Sequence, residues 1–211
     1  MIRVKICGVT SAADVRAVAE AGADAVGFNF WPKSKRWVEP HLAAELARGL
    51  PAFVSRVGVF VDEERDRIEE IAARVGLDVI QLHGAEPPDL ARGLSRRVVR
   101  GIRARTASDL DGAEEYGASA ILIDAYAADA PGGTGLRADW ALAREAARRF
   151  PVILAGGLDP SNVADAVRAV RPYAVDVASG VERAPGVKDP DKIRAFVDQA
   201  RAAFEETFNP S

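Results

Sequence analysis

The sequence is poor in the residue types that build disulfide and metal sites. It contains one cysteine, Cys7, and two histidines, His41 and His83, among 211 residues. A single cysteine excludes an internal disulfide framework and fits a reducing compartment. The histidine, cysteine and acidic residues show none of the spacings at which proteins hold metal ions. We therefore predict no metal, and we interpret His83 as a structural or supporting residue.

The sequence also lacks a strong charge excess and long apolar runs. It has 28 Lys and Arg residues against 31 Asp and Glu residues, for a net charge of −3, so it offers no basic field for nucleic acid. No apolar run approaches the roughly 18 residues of a membrane span, and no signal-peptide segment precedes the first predicted strand. We expect a cytoplasmic protein with neither a nucleic-acid nor a membrane partner.

What the sequence does contain is an alternation of short apolar runs and amphipathic segments. The predicted strands are residues 3–7, 24–30, 55–60, 78–83, 98–102, 120–124, 152–155 and 174–178. The predicted helices are residues 11–21, 42–50, 63–75, 87–94, 107–116, 140–150, 161–170 and 190–204. Strict alternation predicts an α/β fold with a parallel sheet. Eight units, with no Gly-rich dinucleotide turn after the first strand, favour a (β/α)₈ TIM barrel over an open eight-stranded sheet. No linker divides the chain, so residues 1–211 are predicted to form a single domain.

The first predicted strand ends in a thiol and carries a cation on the same face. Lys5 and Cys7 are two residues apart, and side chains on a strand alternate between faces. Most free cysteines are small buried hydrophobes. The carboxyl ends of barrel strands, however, are where such folds place their chemistry. Cys7 is therefore either an inert core residue or a reactive one.

The same alternation predicts which strand residues face the interior of the barrel. The apolar residues are placed outward: Val4, Ile6, Val57, Val59, Ile80, Leu82, Ile121, Ile123, Val175 and Val177. The remaining inward set is Lys5, Cys7, Arg56, Gln81, His83, Asp124 and Asp176. Buried ionisable groups are costly unless they are paired, so this concentration indicates function.

Two pairs within the inward set have a direct chemical interpretation. Strands one and eight become neighbours when the barrel closes, so Lys5 is expected to pair with Asp176. Cys7 and Asp124 end their strands at the same mouth, where a thiol and a carboxyl can act as a base and an acid. A helix cap or loop anchor remains the alternative role for Asp124.

Glycine-containing turns follow the last two predicted strands. Gly156 and Gly157 follow strand seven, and Ser179 and Gly180 follow strand eight. Backbone N–H groups at such turns bind phosphate without a lysine, and barrels commonly use these two loops for it. The long loop over residues 125–139, which is glycine-rich, is interpreted either as a mobile lid or as an ordinary surface loop.

Eight short segments, in order along the chain, carry a family resemblance. They are Lys5-Ile6-Cys7-Gly8-Val9-Thr10, Pro32-Lys33-Ser34-Lys35-Arg36, Arg56-Val57-Gly58-Val59-Phe60, Gln81-Leu82-His83-Gly84, Leu122-Ile123-Asp124, Gly132-Gly133-Thr134-Gly135, Ala155-Gly156-Gly157-Leu158 and Asp176-Val177-Ala178-Ser179-Gly180-Val181-Glu182. Together they resemble the phosphoribosylanthranilate isomerase family. The resemblance implies a cofactor-free (β/α)₈ enzyme of tryptophan biosynthesis. Such an enzyme converts a small phosphosugar, N-(5′-phosphoribosyl)anthranilate, to its 1-deoxyribulose 5-phosphate isomer by an Amadori rearrangement.

The resemblance also implies roles for individual residues. Cys7 matches the general base, Asp124 the general acid, and Arg36 the arginine that holds the anthranilate carboxylate, a contact that suits a guanidinium fork. Ala155 stands where the family often has serine. Supporting roles are predicted for Lys5, Gln81, His83 and Asp176. The oligomeric state is left open between monomer and homodimer.

The proposed chemistry sets requirements on both groups. Because a free thiol is mostly protonated at neutral pH, Lys5 is expected to lower the pKa of Cys7, although pairing with Asp176 weakens that effect. Asp124 must hold a proton to act as the acid.

Three rival functions fit the sequence less well. The histidine-pathway aldose–ketose isomerase uses two aspartates, and indoleglycerol-phosphate synthase needs an N-terminal extension and catalytic Lys and Glu residues. A non-catalytic phosphosugar-binding barrel would need neither Cys7 nor Asp124, and both are present.

Overall fold

In the computed structural model, which describes residues 1–124 and 135–208, eight parallel strands close into a barrel in sequence order. The strands are β1 (Arg3–Cys7), β2 (Ala25–Asn29), β3 (Ser55–Phe60), β4 (Val79–Leu82), β5 (Arg97–Ile102), β6 (Ala120–Asp124), β7 (Val152–Ala155) and β8 (Ala174–Val177). The ring closes between β1 and β8, where Lys5 is in register with Asp176. The predicted TIM barrel is confirmed, and all eight strand ends meet at one mouth.

Helices surround the barrel: α1 (Ala12–Glu20), α2 (Pro40–Arg48), α3 (Arg65–Val75), α4 (Pro88–Arg92), α5 (Gly135–Ala146), α6 (Val163–Val170) and α7 (Pro190–Phe208). The helix predicted over residues 107–116 is wrong as a single element. It is two 3₁₀ helices, Ala107–Leu110 and Ala113–Tyr116, separated at Gly112, whose φ of 77° is left-handed and interrupts a continuous helix.

The loop predicted over residues 125–139 is shorter at its C-terminal end, because α5 begins at Gly135. The interpretation of that loop as a lid falls on residues 125–134, which lie outside the described residues. Within the described ranges, no helix combines the length and apolar character that crossing a membrane requires.

The core has two layers, one between the sheet and the helices and one inside the barrel. Outward residues such as Val4, Ile80 and Val175 belong to the large outer cluster. The small inner cluster consists of Val99, Ala120, Leu122, Ile153, Ala155 and Ala174, with Val79 packed against it. This inner cluster fills the middle of the barrel, so ligand space is confined to its ends.

Strand β3 faces the opposite way from the prediction. Val57 and Val59 line interior cavities, whereas Arg56 is a half-exposed residue whose guanidinium binds the Asp78 carboxylate at 2.9 Å. The prediction that Arg56 points inward is therefore wrong. Outward Gly58 leaves the space that Leu77 and Phe60 occupy. Because both faces of β3 are apolar, hydrophobicity alone did not determine its orientation.

A short antiparallel hairpin follows β8 and was not predicted. It consists of β9 (Glu182–Ala184) and β10 (Val187–Lys188), with Lys188 opposite Glu182. The turn at Gly186 accepts a hydrogen bond from the Thr10 hydroxyl at 2.9 Å. The hairpin is thereby attached to the loop that follows β1, at the mouth of the barrel.

Candidate active site

A cavity of about 500 Å³ opens at the carboxyl ends of the strands. Most of the predicted site residues line it: Cys7, Gln81, His83, Asp124, Gly156, Gly157, Asp176 and Ser179. The lining residues do not include Lys5, Arg36 and Gly180. Lys5 binds the lining residue Asp176, Gly180 packs against the lining residue Leu158, and Arg36 packs against Gly8, which follows Cys7. The structure thus brings together groups that are up to 172 positions apart in the chain.

Cys7 and Lys5 share the inner face of β1, as predicted. The Lys5 Nζ donates to both carboxylate oxygens of Asp176 at 3.0 Å, and both side chains are buried. Gly27 on β2 leaves room for both side chains of this face, since a Cβ there would lie 2.8 Å from the Cys7 Sγ and 3.2 Å from the Lys5 Cε. The predicted Lys5–Asp176 ion pair is confirmed.

The electrostatic balance at Cys7 differs from the expectation. Burial raises the pKa of the Cys7 thiol above its ordinary value and outweighs the lowering by the Lys5 ammonium. The Asp176 carboxylate adds to the increase, because it opposes a second negative charge nearby. Burial disfavours the Lys5 ammonium as well, but Asp176 and Cys7 prevail and raise the pKa of Lys5. The free protein therefore holds Cys7 mainly as the thiol at neutral pH.

Asp124 ends β6 at the cavity, with its backbone in register with Ala155 of β7. It is half-buried, and its charge acts on the imidazole of His83. Cys7 on β1 and Asp124 on β6 thus approach the same cavity from strands that are not adjacent in the ring. A ligand between them contacts a thiol and a carboxyl on different sides, which is the arrangement that acid–base catalysis needs.

His83 lies in the same cavity and is held by its neighbours. Its Nδ1 is 3.1 Å from the Nε2 of Gln81, and with the amide as donor the ring proton sits on Nε2. Gly101 on β5 makes room for the ring, because a Cβ there would lie 2.3 Å from Nδ1. Burial lowers the pKa of His83 and outweighs the effect of Asp124. His83 is therefore a neutral hydrogen-bonding group at pH 7.

The two glycine turns pack directly against each other. Gly156 and Gly157 have left-handed φ values of 87° and 63°, a conformation that glycine adopts without strain. A Cβ on Gly180 would lie 1.9 Å from the Leu158 carbonyl oxygen, so only glycine permits this approach. Asn162 holds the first turn by donating to the Gly157 carbonyl at 2.9 Å.

Arg36 lies beside the cavity but makes a contact that was not predicted. Its Nε and Nη2 donate to the two carboxylate oxygens of Glu182 at 2.6 and 2.8 Å. The Lys188 Nζ, which is fully buried, donates to the same carboxylate at 3.0 Å. Burial opposes the charge on Glu182, but these hydrogen bonds prevail and lower the pKa of its carboxyl. Glu182 is therefore ionised at neutral pH.

Several residues of the site were not singled out from the sequence. Asn29, Trp31, Ser34 and Arg103 line the cavity. The first three belong to the end of β2 and the turn after it, where the Asn29 side chain accepts from the Trp31 N–H at 2.9 Å. A long loop after a barrel strand was the available signal, but it did not distinguish individual residues. In the described ranges, no group of three or more His, Cys, Asp and Glu residues could hold a metal ion.

Comparison with known proteins gives one consistent family. A family model described as N-(5′-phosphoribosyl)anthranilate (PRA) isomerase matches residues 4–199. The N-(5′-phosphoribosyl)anthranilate isomerase of Geobacter metallireducens is 49% identical over 202 residues, which cover 96% of this chain and 100% of that protein.

Two solved structures extend the comparison to three dimensions. A phosphoribosylanthranilate isomerase in complex with reduced 1-(o-carboxyphenylamino)-1-deoxyribulose 5-phosphate has a TM-score of 0.86 and 43% identity, covering 96% of this chain and 100% of that one. Monomers generated from the dimeric enzyme of Thermotoga maritima give a TM-score of 0.85 and 42% identity with the same coverage. Sequence and fold agree, and the chain belongs to the N-(5′-phosphoribosyl)anthranilate isomerase family of aldose–ketose isomerases.

Proposed function

We propose that this barrel mouth isomerises N-(5′-phosphoribosyl)anthranilate, a step of tryptophan biosynthesis, with Cys7 as general base and Asp124 as general acid. The observation that carries the proposal is that Cys7 on β1 and Asp124 on β6 line one cavity from strands that are not adjacent in the ring. The same cavity is lined by Gly156, Gly157 and Ser179 of the two turns suited to phosphate. A phosphosugar bound there places its sugar carbons between the two groups.

The reaction balances with one acid and one base and needs no external oxidant or reductant. Asp124 donates a proton to the furanose ring oxygen, the C1′–O bond breaks, and the anthranilate nitrogen forms a Schiff base with C1′. The thiolate of Cys7 then removes the proton from C2′. The electron pair of the broken C2′–H bond forms a C1′–C2′ double bond, and the product is an enolamine. Tautomerisation of the enolamine, with a proton added at C1′, gives the ketose. The prediction that no cofactor takes part stays a prediction.

The experiment that tests this function is turnover of freshly prepared N-(5′-phosphoribosyl)anthranilate by the purified protein. The readout is the change in anthranilate fluorescence, with the product identified by mass spectrometry. We expect the ketose isomer to accumulate with saturation kinetics. A rate no higher than that of the substrate alone would overturn the proposal.

We propose that Arg36 binds the anthranilate carboxylate, and we expect Arg36→Met to act mainly on KM. A charge-assisted contact of about 1.5–3 kcal/mol corresponds to a rise in KM of roughly ten- to a hundredfold. The effect on kcat should be smaller, because this carboxylate is bound alike in the ground and transition states. Steady-state kinetics at low and high ionic strength provide the measurement.

Lys33→Met is the matched control for this variant, since Lys33 is an exposed cation of the same loop. Its defect should be small and should fade in salt, as expected for general attraction between charges. Equal, salt-suppressed defects in both variants would mean that the loop only attracts anions. Arg36 would then lose its assignment.

We infer that the chain forms a homodimer through the amino-terminal end of the barrel. Phe53 is 99% exposed there, and Tyr173 is 46% exposed. Both border a second cavity of about 380 Å³, lined in part by the inner residues Ser55, Val79 and Ala120. A large apolar side chain standing free in water beside an open cavity is typical of an association surface. The dimeric Thermotoga maritima relative supports a second copy as the occupant.

Phe53→Ser is expected to convert a dimer to a monomer, as measured by multi-angle light scattering. Leu42→Ser is the control, because Leu42 is also exposed but lies on α2, away from this cavity. A wild-type protein with the mass of one chain, or a Phe53→Ser variant that keeps twice that mass, would rule out this interface.

The single domain and the cytoplasmic location both stay predictions. The match of the family model to residues 4–199 supports a single domain over residues 1–211. Membership of a family of amino-acid biosynthesis supports the cytoplasmic location.

A further inference from the structure

The contact between Arg36 and Glu182 occupies only one edge of the guanidinium. Nε and one Nη2–H bind the Glu182 carboxylate. The other Nη2–H and both Nη1–H groups form a second edge that can bind another carboxylate in the same bidentate way. No other contact of Arg36 with an acidic side chain occurs among the described residues. Arg36 can therefore bridge Glu182 and a ligand carboxylate.

The arginine is also held along its aliphatic part. Gly8 has a left-handed φ of 74°, and a Cβ there would lie 2.4 Å from the Arg36 Cδ. The side chain therefore crosses directly over the residue that follows Cys7, close enough for the charges of Cys7 and Arg36 to interact. Gly186 of the β9–β10 hairpin packs against the Lys35 carbonyl oxygen, which fixes the hairpin against the Arg36 loop.

Lys188 adds a second cation to the ion pair of Arg36 and Glu182. Its Nζ is fully buried and binds both Glu182 and the Ala178 carbonyl oxygen, the latter at 2.9 Å. Arg36 and Glu182 alone would form a neutral pair with little attraction for an anion. Lys188 and the Arg36 Nε bind the same oxygen of Glu182. Burial lowers the pKa of Lys188, and the hydrogen bond to Glu182 opposes that effect. With Lys188 protonated, the three residues carry one surplus positive charge.

We propose that Glu182 is a positioning residue, which holds one edge of the Arg36 guanidinium and so presents the opposite edge to the carboxylate of the substrate's aromatic ring. Lys188 compensates the charge of Glu182, so that orientation is gained without loss of attraction. This inference rests on the proposed role of Arg36. On this account the β9–β10 hairpin, which contains Glu182 and Lys188, makes the protein prefer substrates that carry this carboxylate.

The test compares two ligands in a variant with unchanged net charge. The ligands are reduced 1-(o-carboxyphenylamino)-1-deoxyribulose 5-phosphate and the corresponding phenylamino compound without the ring carboxylate. The variant is Glu182→Gln combined with Lys188→Met, which removes one negative and one positive charge and leaves Arg36 as the cation. Binding constants from isothermal titration calorimetry give the preference for the carboxylated ligand.

The double variant is expected to bind the carboxylated ligand about tenfold more weakly, the value of one well-oriented charge-assisted contact. The phenylamino compound should bind as it does to the wild type. A role of Glu182 in folding alone would weaken both ligands together. An unchanged preference in the folded double variant would overturn the inference.

Arg36→Met separates this inference from the function on which it rests. If Arg36→Met abolishes the preference while the double variant keeps it, Arg36 binds the carboxylate and only the role of Glu182 is wrong. If Arg36→Met leaves the preference intact, the assignment of Arg36 itself is wrong, and the inference fails with it.

Two further variants guard against an effect of folding. Circular dichroism and thermal unfolding identify a double variant that does not fold, and Glu182→Gln combined with Lys188→Gln, which also leaves the net charge unchanged, then takes its place with the same expected loss. Asp78→Asn is the matched control. It breaks the same Nε and Nη2 fork at Arg56, on the outer side of the barrel, and should leave the preference unchanged.

Discussion

Cys7→Ser is expected to lower kcat by roughly 10²–10⁴-fold with little change in KM, the usual contribution of one acid–base group. The serine hydroxyl is smaller than the thiol, so it fits the site, but it is far less acidic and cannot supply an anion that removes the C2′ proton. Substrate binding should persist, because the variant leaves untouched the two glycine turns and Arg36, which are proposed to bind the phosphate and the carboxylate. The measurement is steady-state turnover of both proteins at saturating substrate.

The pH dependence of the wild type gives this prediction a second readout. Because burial raises the pKa of Cys7, the thiolate is a minor species at neutral pH and increases as the pH rises. The rate at which iodoacetamide alkylates the wild type, which reports on the thiolate alone, should therefore climb from neutral into alkaline solution. Cys7 is the single cysteine of the sequence, so Cys7→Ser should show no such rise. Near-full turnover in the variant would exclude Cys7 as the base, and an alkylation rate that is flat or falls over this range would contradict the raised pKa.

Asp124→Asn is expected to reduce kcat to a similar extent while the protein folds normally. The amide keeps the size and hydrogen-bonding capacity of the side chain but has no acid proton for the ring oxygen. Loss of turnover with a wild-type circular dichroism spectrum and thermal midpoint would support the assignment. Loss of both together would make Asp124 a structural residue, and full activity in the variant would refute its role as the acid.

The barrel and much of its mouth could be predicted because they follow from local rules. Apolar runs of strand length, alternating with helical segments, required a parallel sheet, and strand ends in such a sheet meet on one side. The Lys5–Asp176 pair followed from the closure of the ring, which makes β1 and β8 neighbours. Asp124 and the glycine turns were located by the same argument.

The errors arose where a local pattern was ambiguous. Val57 and Phe60 are both apolar but face opposite sides of β3, so periodicity did not identify the inner face. The left-handed Gly112 divides a segment whose composition suits one helix. In each case tertiary packing or backbone conformation decided between alternatives that the sequence left nearly equal.

The pairing of Arg36 and the balance of charge at Cys7 had no local signal. Arg36 and Glu182 are 146 positions apart, and their contact depends on how the hairpin after β8 lies on the loop after β2. The pKa of Cys7 depends on whether burial or the Lys5 ammonium has the larger effect. That comparison requires the depth of the thiol and the distance to each charge, which only the folded structure provides.

The central claim is that Cys7 and Asp124 act on different bonds of the same substrate. It is tested most directly by the kinetic isotope effect on kcat with substrate that carries deuterium at C2′. In Cys7→Ser, removal of the C2′ proton becomes the slow step, so the account predicts a large primary isotope effect. In Asp124→Asn, ring opening becomes the slow step, and the isotope effect should fall to near unity. A large effect in Asp124→Asn together with none in Cys7→Ser would contradict the assignment of base and acid.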